Sequence, residues 1–299
     1  MPQHPPFPLI MSPRIRRSGA VTVRIVVILV VAALVVTVVA AMKHRRNAQR
    51  AAAVATPAQP AQPVPAEVMG ELANIPAAAW QQAGTRGAAT PIFAGDSNIS
   101  GGKPVVLYIG AGYCPYCAAA RWSLITSLAR FGTFSGLTLG NSSPIDVYAN
   151  SPTFSFHGSS YTSDYVVFEP VELEGEVPQA DGRYPPLEQP TPAQQALLDK
   201  YDKPPYTPAG GAGGIPFILV GGKYMWSGSP FDPGVIAGKS QAAIAGTLAQ
   251  VSGNAAAPIL ANANVVTASI CAVDGGKPAD VCSSPVIRSA AEALPKKTP

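Results

Sequence analysis

The sequence predicts a mixed α/β domain that follows a single membrane-spanning helix. Three observations predict this fold class: an uncharged apolar run from Ile25 to Met42, a β-branched run from Lys103 to Gly110, and helical spacing of apolar residues after Cys114. A short buried strand that leads directly into a helix is typical of an α/β domain. The chain has 299 residues, which is enough to bury a core without disulfide staples.

Charge is sparse and unevenly distributed along the chain. Only 13% of residues are charged, against about 25% in an average soluble domain, and the formal net charge is +4. Eight basic residues precede residue 51, whereas residues 51–299 carry 13 basic and 17 acidic side chains. A nucleic-acid-binding surface needs clustered Lys and Arg on a folded domain, so we expect no nucleic-acid partner.

The apolar run is long enough to cross a bilayer. Its 18 residues form a helix of ~27 Å, and Val21–Val23 can extend it while Arg24 reaches the headgroups. A cleaved signal peptide is the alternative, but its apolar region is normally ~7 to 15 residues long, and here Lys43 follows at once. We therefore predict that residues 21–42 form a retained anchor in the lipid bilayer. Four basic residues lie on each side, so charge does not orient the anchor.

The rest of the chain divides into a linker, one folded domain and two tails. Prolines recur through residues 51–66, a composition that favours an extended polyproline II spacer. The predicted boundaries are a short cytoplasmic tail at 1–20, the transmembrane helix at 21–42, a basic flank and Pro/Ala-rich linker at 43–69, the folded domain at 70–290 with an insertion at about 133–213, and a disordered tail at 291–299.

A C-P-Y-C motif stands between the predicted strand and the predicted helix. Pro115 suits the first helical turn, so Cys114 falls at the helix N-terminus. The helix dipole and the unpaired N–H groups there stabilise an anion and lower the pKa of a thiol. Cys114 is therefore the predicted nucleophile for a substrate disulfide, and Cys117 would resolve the mixed disulfide. Arg121 and Arg130 of the same helix are expected to reach solvent.

Zinc binding is the main alternative for two cysteines at this spacing. Structural zinc usually needs four ligands, and beside the motif the sequence offers only Cys271, Cys282 and the isolated His157. We therefore predict no metal and no other cofactor. His157 is expected to be a hydrogen-bonded structural residue.

With strand, motif and helix in this order, the chain resembles the thioredoxin superfamily. The segments Gly213–Val220 and Gly221–Tyr224 are similar to the strand and hairpin that open with a cis proline in that family. The resemblance implies that Ile215–Pro216 is the cis bond, that it packs against Cys114, and that the Ile215 backbone pairs with an extended substrate peptide. An ordinary proline at the start of an edge strand is the alternative.

The dipeptide between the cysteines, Pro115-Tyr116, is that of glutaredoxins, without a further feature that indicates glutathione binding. The resemblance implies that both residues contact substrate. One position departs from the family pattern, because many such oxidoreductases carry a buried acid six residues before the first cysteine and this chain has Tyr108 there. The proton acceptor for the resolving cysteine is then water or another group, such as Glu169 or Glu172.

A narrower resemblance comes from the stretches Phe154–Glu172 and Ile270–Cys282. Both are similar to an uncharacterised family of membrane-anchored thioredoxin-like proteins, which is known only as a domain of unknown function. The likeness covers roughly residues 70–290. It implies the fold and leaves the reaction open, because fold does not fix function.

The segment between the active-site helix and Pro216 is long enough to hold an insertion. Its patterns predict strands at 145–148, 154–157 and 165–168, a loop at 174–190 and a helix at 191–201. We hypothesise that the insertion covers the active site and selects substrates. The alternative is that its aromatic residues Tyr161, Tyr165 and Phe168 are simply core.

Two helical patterns, at 241–251 and 255–270, lead to a second cysteine pair, Cys271 and Cys282. An even number of cysteines outside the cytoplasm favours a structural disulfide between them. The alternative is a shuttle pair that passes electrons to the motif cysteines.

Together these features predict an enzyme: a thiol–disulfide oxidoreductase of the cell membrane, single-pass, with its C-terminal domain outside the cytoplasm. Its expected partners are exported protein thiols or disulfides, or a membrane redox partner. Oxidant, reductant and isomerase share these residues, and the reduction potential decides among them. Two other classes stay open: a non-enzymatic binding or chaperone-like module of the cell envelope, against which the intact thiol pair argues, and a peroxide reductase or metal-delivery protein.

Overall fold

A computed structural model describes residues 18–55, 61–211 and 213–299. Contacts divide the chain into two units, Met1–Gln49 and Arg50–Pro299. The first unit contains most of a long apolar helix, and the second contains a mixed α/β domain.

The N-terminal helix, α1, runs over Ser18–Ala55. Its segment Val27–Ala48 has a mean hydropathy of 2.4 and is not buried by other described residues. Such a β-branched segment is helical in lipid, because there the backbone must satisfy its own hydrogen bonds. Within the described ranges, one helix is thus long and apolar enough to span a membrane, and it overlaps the predicted anchor at 21–42. Most of the predicted tail at 1–20 lies outside the described residues.

The predicted Pro/Ala-rich linker is largely structured in its described parts. Helix α1 continues through the basic flank to Ala55, and residues 56–60 lie outside the described residues. Beyond them, the backbone groups of Gln62 and Val64 are hydrogen-bonded to residues 137–139, at 2.8 and 3.1 Å. The extended conformation that the prolines favour therefore serves here as an edge of the folded domain, where its backbone groups find partners.

The second unit contains eight further α-helices and ten strands among its described residues. The helices are α2 (Ala66–Ala73), α3 (Ala77–Ala83), α4 (Pro115–Leu128), α5 (Pro192–Tyr201), α6 (Gln241–Leu248), α7 (Ala256–Cys271), α8 (Ala279–Cys282) and α9 (Pro285–Glu292). The strands are β1 (Ile92–Phe93), β2 (Ile99–Ser100), β3 (Lys103–Gly110), β4 (Gly132–Ser135), β5 (Thr138–Asn141), β6 (Pro152–Ser155), β7 (Ser160–Ser163), β8 (Val167–Glu172), β9 (Phe217–Val220) and β10 (Tyr224–Ser227).

Strand β3 is the centre of the main sheet. The strand order is β1-β10-β9-β3-β2, and β8 also pairs with β3. β8 runs parallel to β3, from Val105↔Val167 to Gly110↔Glu172, while β9 runs antiparallel to it. Every residue of β3 after Lys103 is buried, as its continuous apolar sequence predicts. The predicted strand is confirmed at both ends.

The two faces of this sheet pack into different parts of the core. Val106 and Tyr108 join the cluster that contains α4 and α7, whereas Leu107 and Ile109 join a second cluster that contains residues of α5. This alternation follows from the two-residue period of a strand. Helices α4 and α7 are buried around almost their whole circumference, so they lie in the middle of the domain. The two helices predicted near the C-terminus are confirmed as α6 and α7.

The insertion departs from its predicted structure in several places, because β4, β5 and β7 have no predicted counterpart and one predicted strand is missing. The strand predicted at 145–148 is wrong, because these residues form turns. The Asp146 carboxylate accepts from the Val147 N–H at 2.7 Å, and Tyr148 has a φ of 52°, which ends any strand. The other two predicted strands are present with shifted bounds, as β6 and β8. Helix α5 begins at its N-cap Thr191, as its sequence predicts.

The C-terminal helices are joined by a disulfide. Cys271 ends α7, Cys282 ends α8, and their Cα atoms are 5.6 Å apart. The disordered tail predicted at 291–299 is wrong for its first residues, because α9 extends to Glu292 and Leu294 is buried in the main core cluster.

Candidate active site

The two motif cysteines lie where β3 passes into α4. Cys114 is the N-cap of α4, with φ −76° and ψ 119°, and Pro115 occupies the first helical position. The Cys114 Sγ accepts the backbone N–H of Cys117 at 3.2 Å, as the side chain of an N-cap residue does. Cys114 therefore lies at the positive end of the α4 dipole, just after the buried strand β3, as the sequence predicts.

The two sulfurs differ in their access to solvent. Cys114 retains 4% of its surface and Cys117 retains none, and both are free thiols. Cys117 lies one helical turn further into the domain, which accounts for its enclosure. Cys114 is thus the more accessible of the two sulfurs.

The surroundings separate the pKa values of the two thiols. The hydrogen bond with Cys117 lowers the pKa of Cys114 most, burial opposes this, and the Arg121 charge lowers the pKa further. Burial raises the pKa of Cys117, and the hydrogen bond with Cys114 adds to the increase. The pair therefore favours a thiolate at Cys114 and a thiol at Cys117, the arrangement that nucleophilic attack by Cys114 requires.

Arg121 departs from the expectation that it reaches solvent, because its side chain is fully buried. Its guanidinium pairs with the Glu172 carboxylate, with Nε–Oε1 at 2.8 Å and Nη2–Oε2 at 2.6 Å, and Nη2 also donates to Ala111 O at 2.7 Å. The expectation is wrong because the insertion brings Glu172 to the polar side of α4. Arg130 is also partly covered: its guanidinium lies 4.5 Å from the Trp80 ring centroid, and burial lowers its pKa to about 10.

Tyr108 occupies the position where the family pattern has a buried acid. Its hydroxyl is buried without a hydrogen-bond partner among the described residues, and the Arg121 guanidinium lies 5.8 Å from its ring centroid. Gly110 makes room for this hydroxyl, since a Cβ at Gly110 would overlap it. Burial raises the pKa of Tyr108, so the hydroxyl stays protonated at neutral pH.

The two carboxylates that the sequence suggests as proton acceptors are both engaged elsewhere. Glu172 is held by Arg121 in the buried ion pair. The Glu169 Oε2 accepts from Gln194 Nε2 of α5 at 3.0 Å. Proton transfer to Glu172 would therefore disrupt its ion pair with Arg121, whereas Glu169 keeps a second carboxylate oxygen that can accept a proton.

Sequence reasoning misses Glu176, a buried carboxyl group beside the active-site turn. Its Cγ lies 3.0 Å from the point where a Cβ of Gly112 would stand, and its Oε1 fills the corresponding point at Gly140. Burial raises the pKa of Glu176 to about 6, against the opposing effects of the Asn141 N–H and the Arg121 charge. The two glycines are the signal in the sequence, because they leave the volume that the carboxyl group fills.

The Ile215–Pro216 bond is cis and immediately precedes β9, as the resemblance implies. The Cys114 Sγ lies 3.8 Å from Ile215 O, to which the thiol can donate. Ile215 packs against a small cluster formed by Ala111, Cys114 and Cys117. The structure thus brings both cysteines and the cis proline strand together. Their roles in binding and catalysis remain predictions.

The insertion forms one wall of this site. The Gly112 N–H donates to Glu174 O at 2.7 Å, and the Ser143 N–H donates to Tyr113 O at 2.8 Å. The Tyr184 ring stacks on Tyr113 with centroids 4.2 Å apart, and its hydroxyl donates to Ser143 Oγ at 2.7 Å. These contacts place the insertion against the turn that carries Cys114, while its part in substrate selection stays a hypothesis.

Three other aromatic residues of the insertion belong to the core. Tyr161 lies against Phe134 with ring centroids 4.8 Å apart, and Phe168 meets Phe156 edge-on at 4.9 Å. Tyr165 packs against the same core cluster. Their packing explains these residues without a part in substrate recognition.

His157 and the second cysteine pair lie in other arrangements. The His157 Nδ1 is 2.6 Å from Glu188 Oε1, and Glu188 Oε2 accepts the Glu172 N–H at 2.8 Å, so His157 is hydrogen-bonded. Cys271 and Cys282 are bonded to each other. In the part of the chain that the structure describes, no group of three or more His, Cys, Asp or Glu side chains is placed to hold a metal ion.

The central part of the chain is similar to a known family. Residues 94–189 match a family described as a domain of unknown function, DUF929. The matched range contains the C-P-Y-C motif and the stretch Phe154–Glu172, in agreement with the narrower resemblance, whereas Ile270–Cys282 lies outside it. Comparison with curated proteins and with solved structures gives no match.

Proposed function

We propose that this chain is a membrane-anchored, thioredoxin-like thiol–disulfide oxidoreductase that uses Cys114 and Cys117 outside the cytoplasm. The observation that carries the proposal is the Cys114 sulfur at the start of α4, whose pKa is lowered chiefly by its hydrogen bond with Cys117. A second thiol one turn away, enclosed and with a raised pKa, supplies the resolving group.

The order of elements supports a thioredoxin-like fold. β3, α4 and the parallel strand β8 form a β-α-β unit, and a C-x-x-C motif near such a unit is typical of thioredoxin-like redox proteins. The β9–β10 hairpin follows the cis Pro216 and lies beside β3. The carbonyl of Ile215, next to Cys114, is an acceptor that an extended substrate backbone can use.

In the reducing direction, the Cys114 thiolate attacks one sulfur of a substrate disulfide. A Cys114–substrate disulfide forms, the substrate S–S bond breaks, and the departing sulfur takes up a proton. Cys117 then loses its proton and attacks the Cys114 sulfur, which forms the Cys114–Cys117 disulfide and releases the second substrate thiol. The substrate gains the two electrons that the dithiol loses. The oxidising direction reverses these steps, and a dithiol or disulfide partner resets the pair.

The proposed location is the cell membrane, with a single span at residues 21–42 and the C-terminal domain outside the cytoplasm. The long exposed apolar surface of α1 supports the anchor. The Cys271–Cys282 bond supports an oxidising compartment, because structural disulfides persist there and are rare in the cytosol. Exported protein thiols or disulfides, or a membrane redox partner, are then the substrates that Cys114 meets.

Reduction of insulin disulfides in the presence of dithiothreitol tests the proposal. The wild-type chain should accelerate the reaction, and Cys114→Ser should remove the acceleration. Pre-reduced Cys117→Ser, freed of dithiothreitol before insulin is added, should instead accumulate a Cys114–insulin mixed disulfide, which mass spectrometry detects. Ile99→Ala, an exposed change on β2 beside the start of β3, serves as the control. Equal acceleration by wild type and Cys114→Ser would favour a non-enzymatic binding module.

A further inference from the structure

Among the described residues outside α1, large exposed apolar side chains are few, and two of them meet near Cys114. The described residues of the second unit expose five large hydrophobic side chains: Ile99, Tyr116, Val147, Tyr148 and Leu187. Tyr116 is the second residue of α4, two positions after Cys114. The Tyr148 ring meets the Tyr116 ring edge-on with centroids 6.4 Å apart. We call the surface formed by Tyr116 and Tyr148 the tyrosine patch.

The backbone that carries Tyr148 is held in a conformation that tyrosine rarely adopts. Tyr148 has a φ of 52° and Asn150 a φ of 53°, both in the left-handed region. Tyr148 O accepts from Ser142 Oγ at 3.1 Å and from Ser151 Oγ at 2.6 Å, which fixes the turn. Strained backbone that its surroundings hold in place is concentrated at ligand-binding sites.

The Tyr148 side chain is also positioned, although it is 39% exposed. A hydrogen bond with the Asp232 carboxylate raises the pKa of the Tyr148 hydroxyl. Asp232 itself is fixed, because its Oδ1 accepts the Gly234 N–H at 2.8 Å. The edge of the Tyr148 ring also lies against Gly234, where an added Cβ would come within 3.1 Å of it, and the residue stays exposed for a partner.

We propose that the tyrosine patch binds an apolar side chain of an extended substrate polypeptide, close to the cysteine that Cys114 attacks. The inference rests on the proposed function, since it assigns a substrate class to that site. An extended chain that places its cysteine at the narrow opening beside Cys114 has neighbouring side chains that reach Tyr116 and Tyr148. The patch then contributes binding free energy that the small contact at the sulfur cannot supply.

Charge around the patch selects further among substrates. Asp232 lies beside Tyr148 and takes part in no ion pair among the described residues. A basic residue near the apolar side chain is attracted to this carboxylate, while an acidic residue is repelled. The same charge disfavours the bilayer as the occupant, because membrane-binding surfaces carry Lys and Arg to meet anionic headgroups.

Single-turnover exchange between the pre-reduced full-length chain and disulfide-linked peptide dimers tests the inference. The peptides carry Phe or Ser after the cysteine and Lys or Glu before it. The wild type should oxidise faster with the Phe peptide than with the Ser peptide by about tenfold, the effect of burying one aromatic side chain in part. Among the Phe peptides it should prefer Lys to Glu, and this preference should weaken with added salt.

Tyr148→Ala should remove most of the Phe preference, while Tyr148→Phe should keep it because the ring remains. Ile99→Ala, an equally exposed apolar change on β2, should leave both preferences at the wild-type value. An unchanged Phe-to-Ser ratio in Tyr148→Ala would overturn the docking role. The docking role would also be overturned if Tyr148→Ala changed only the oligomeric state of the chain. The patch would then bind a second copy of the chain and not a substrate.

A small disulfide separates this inference from the proposed function. Exchange with hydroxyethyl disulfide does not use the patch, so wild type and Tyr148→Ala should react equally and Cys114→Ser should not react. If Cys114→Ser reacted with hydroxyethyl disulfide at the wild-type rate, the proposed function itself would be contradicted. If the reaction depended on Cys114 but wild type and Tyr148→Ala reacted with the peptides at equal rates, only the docking role would be contradicted.

Discussion

At the scale of single residues, the buried pair of Arg121 and Glu172 is the strongest electrostatic feature near the thiols. Both side chains are almost fully enclosed, and Arg121 lies one helical turn after Cys117. A buried ion pair is not by itself evidence of stability, because desolvation offsets much of the attraction. Its positive member lowers the pKa of both cysteines, so the pair links the fold of the insertion to the chemistry of the motif.

Replacing Arg121 by Met should destabilise the domain by about 3 to 5 kcal/mol, because the Glu172 charge would remain buried without a partner. Urea unfolding followed by circular dichroism measures the change. The double variant Arg121→Met/Glu172→Leu should recover much of this loss, since no buried charge remains. Arg130→Met, just beyond the C-terminus of α4, is the control, because Arg130 has no buried carboxylate partner among the described residues. A double variant as unstable as Arg121→Met would contradict the assignment.

Glu176 should make stability depend on pH. Burial raises its pKa from 4.5 to about 6, so between these values the folded chain binds more protons than the unfolded chain. Stability linked to this group is therefore complete below about pH 4.5 and falls as the pH rises through 6, by about 2 kcal/mol. Unfolding at pH 4 and pH 7 should show that Glu176→Gln has lost this part of the pH dependence. An unchanged dependence in Glu176→Gln would exclude Glu176 as its source.

At the scale of elements, the loop that follows β8 closes one side of the candidate site. It reaches the active-site turn through Glu174 and stacks Tyr184 on Tyr113. A polar, proline-rich loop is usually mobile, but backbone hydrogen bonds and a bridge between Glu174 and Pro186 tie this one down. The wall is therefore a fixed part of the opening around Cys114.

Opening that wall should increase access to Cys114. Tyr184→Ala removes the stacked ring and should raise the rate at which a bulky maleimide alkylates Cys114 several-fold. Arg183→Ala, a neighbouring exposed change in the same loop, should have no such effect. Alkylation followed by peptide mass mapping gives both rates. Equal rates in Tyr184→Ala and Arg183→Ala would show that the loop does not limit access.

The α7–α8 connection should contribute stability without taking part in exchange. Replacing Cys271 and Cys282 by Ala opens a short loop, which should cost about 3 kcal/mol of unfolding free energy. The insulin reduction rate at 25 °C should stay at the wild-type value. A large loss of rate in a chain that is still folded would instead assign the pair a shuttle role.

At the scale of the whole molecule, the parts that depend on local sequence are the ones that could be predicted. Strand β3, the N-cap position of Cys114 and the start of α5 each follow from a few adjacent residues. The α5 start is a capping box, in which Thr191 Oγ1 accepts from Gln194 N and Gln194 Oε1 accepts from Thr191 N. These local patterns predict the structure correctly because each is satisfied by neighbouring residues and does not depend on tertiary contacts.

The features that could not be predicted depend on contacts distant in sequence. Arg121 has a polar pattern typical of a solvated helix face, and only the arrival of Glu172 from β8 makes its burial possible. Glu176 lies in an irregular loop with no periodicity to place it. Residues 145–148 have strand-like composition, yet Asp146 and the left-handed Tyr148 turn the chain. At Arg121 a tertiary contact thus overrides the local preference, whereas at residues 145–148 a hydrogen bond between adjacent residues does so.

The central claim is that Cys114 and Cys117 form a reversible dithiol–disulfide pair while Cys271 and Cys282 stay bonded. Equilibration of the full-length chain in glutathione buffers of graded potential, followed by alkylation and mass mapping of each cysteine, tests it most directly. The account predicts that the Cys114–Cys117 disulfide forms and breaks across the series and that Cys271–Cys282 remains oxidised throughout. A motif pair that stays reduced in the most oxidising buffers would contradict the account.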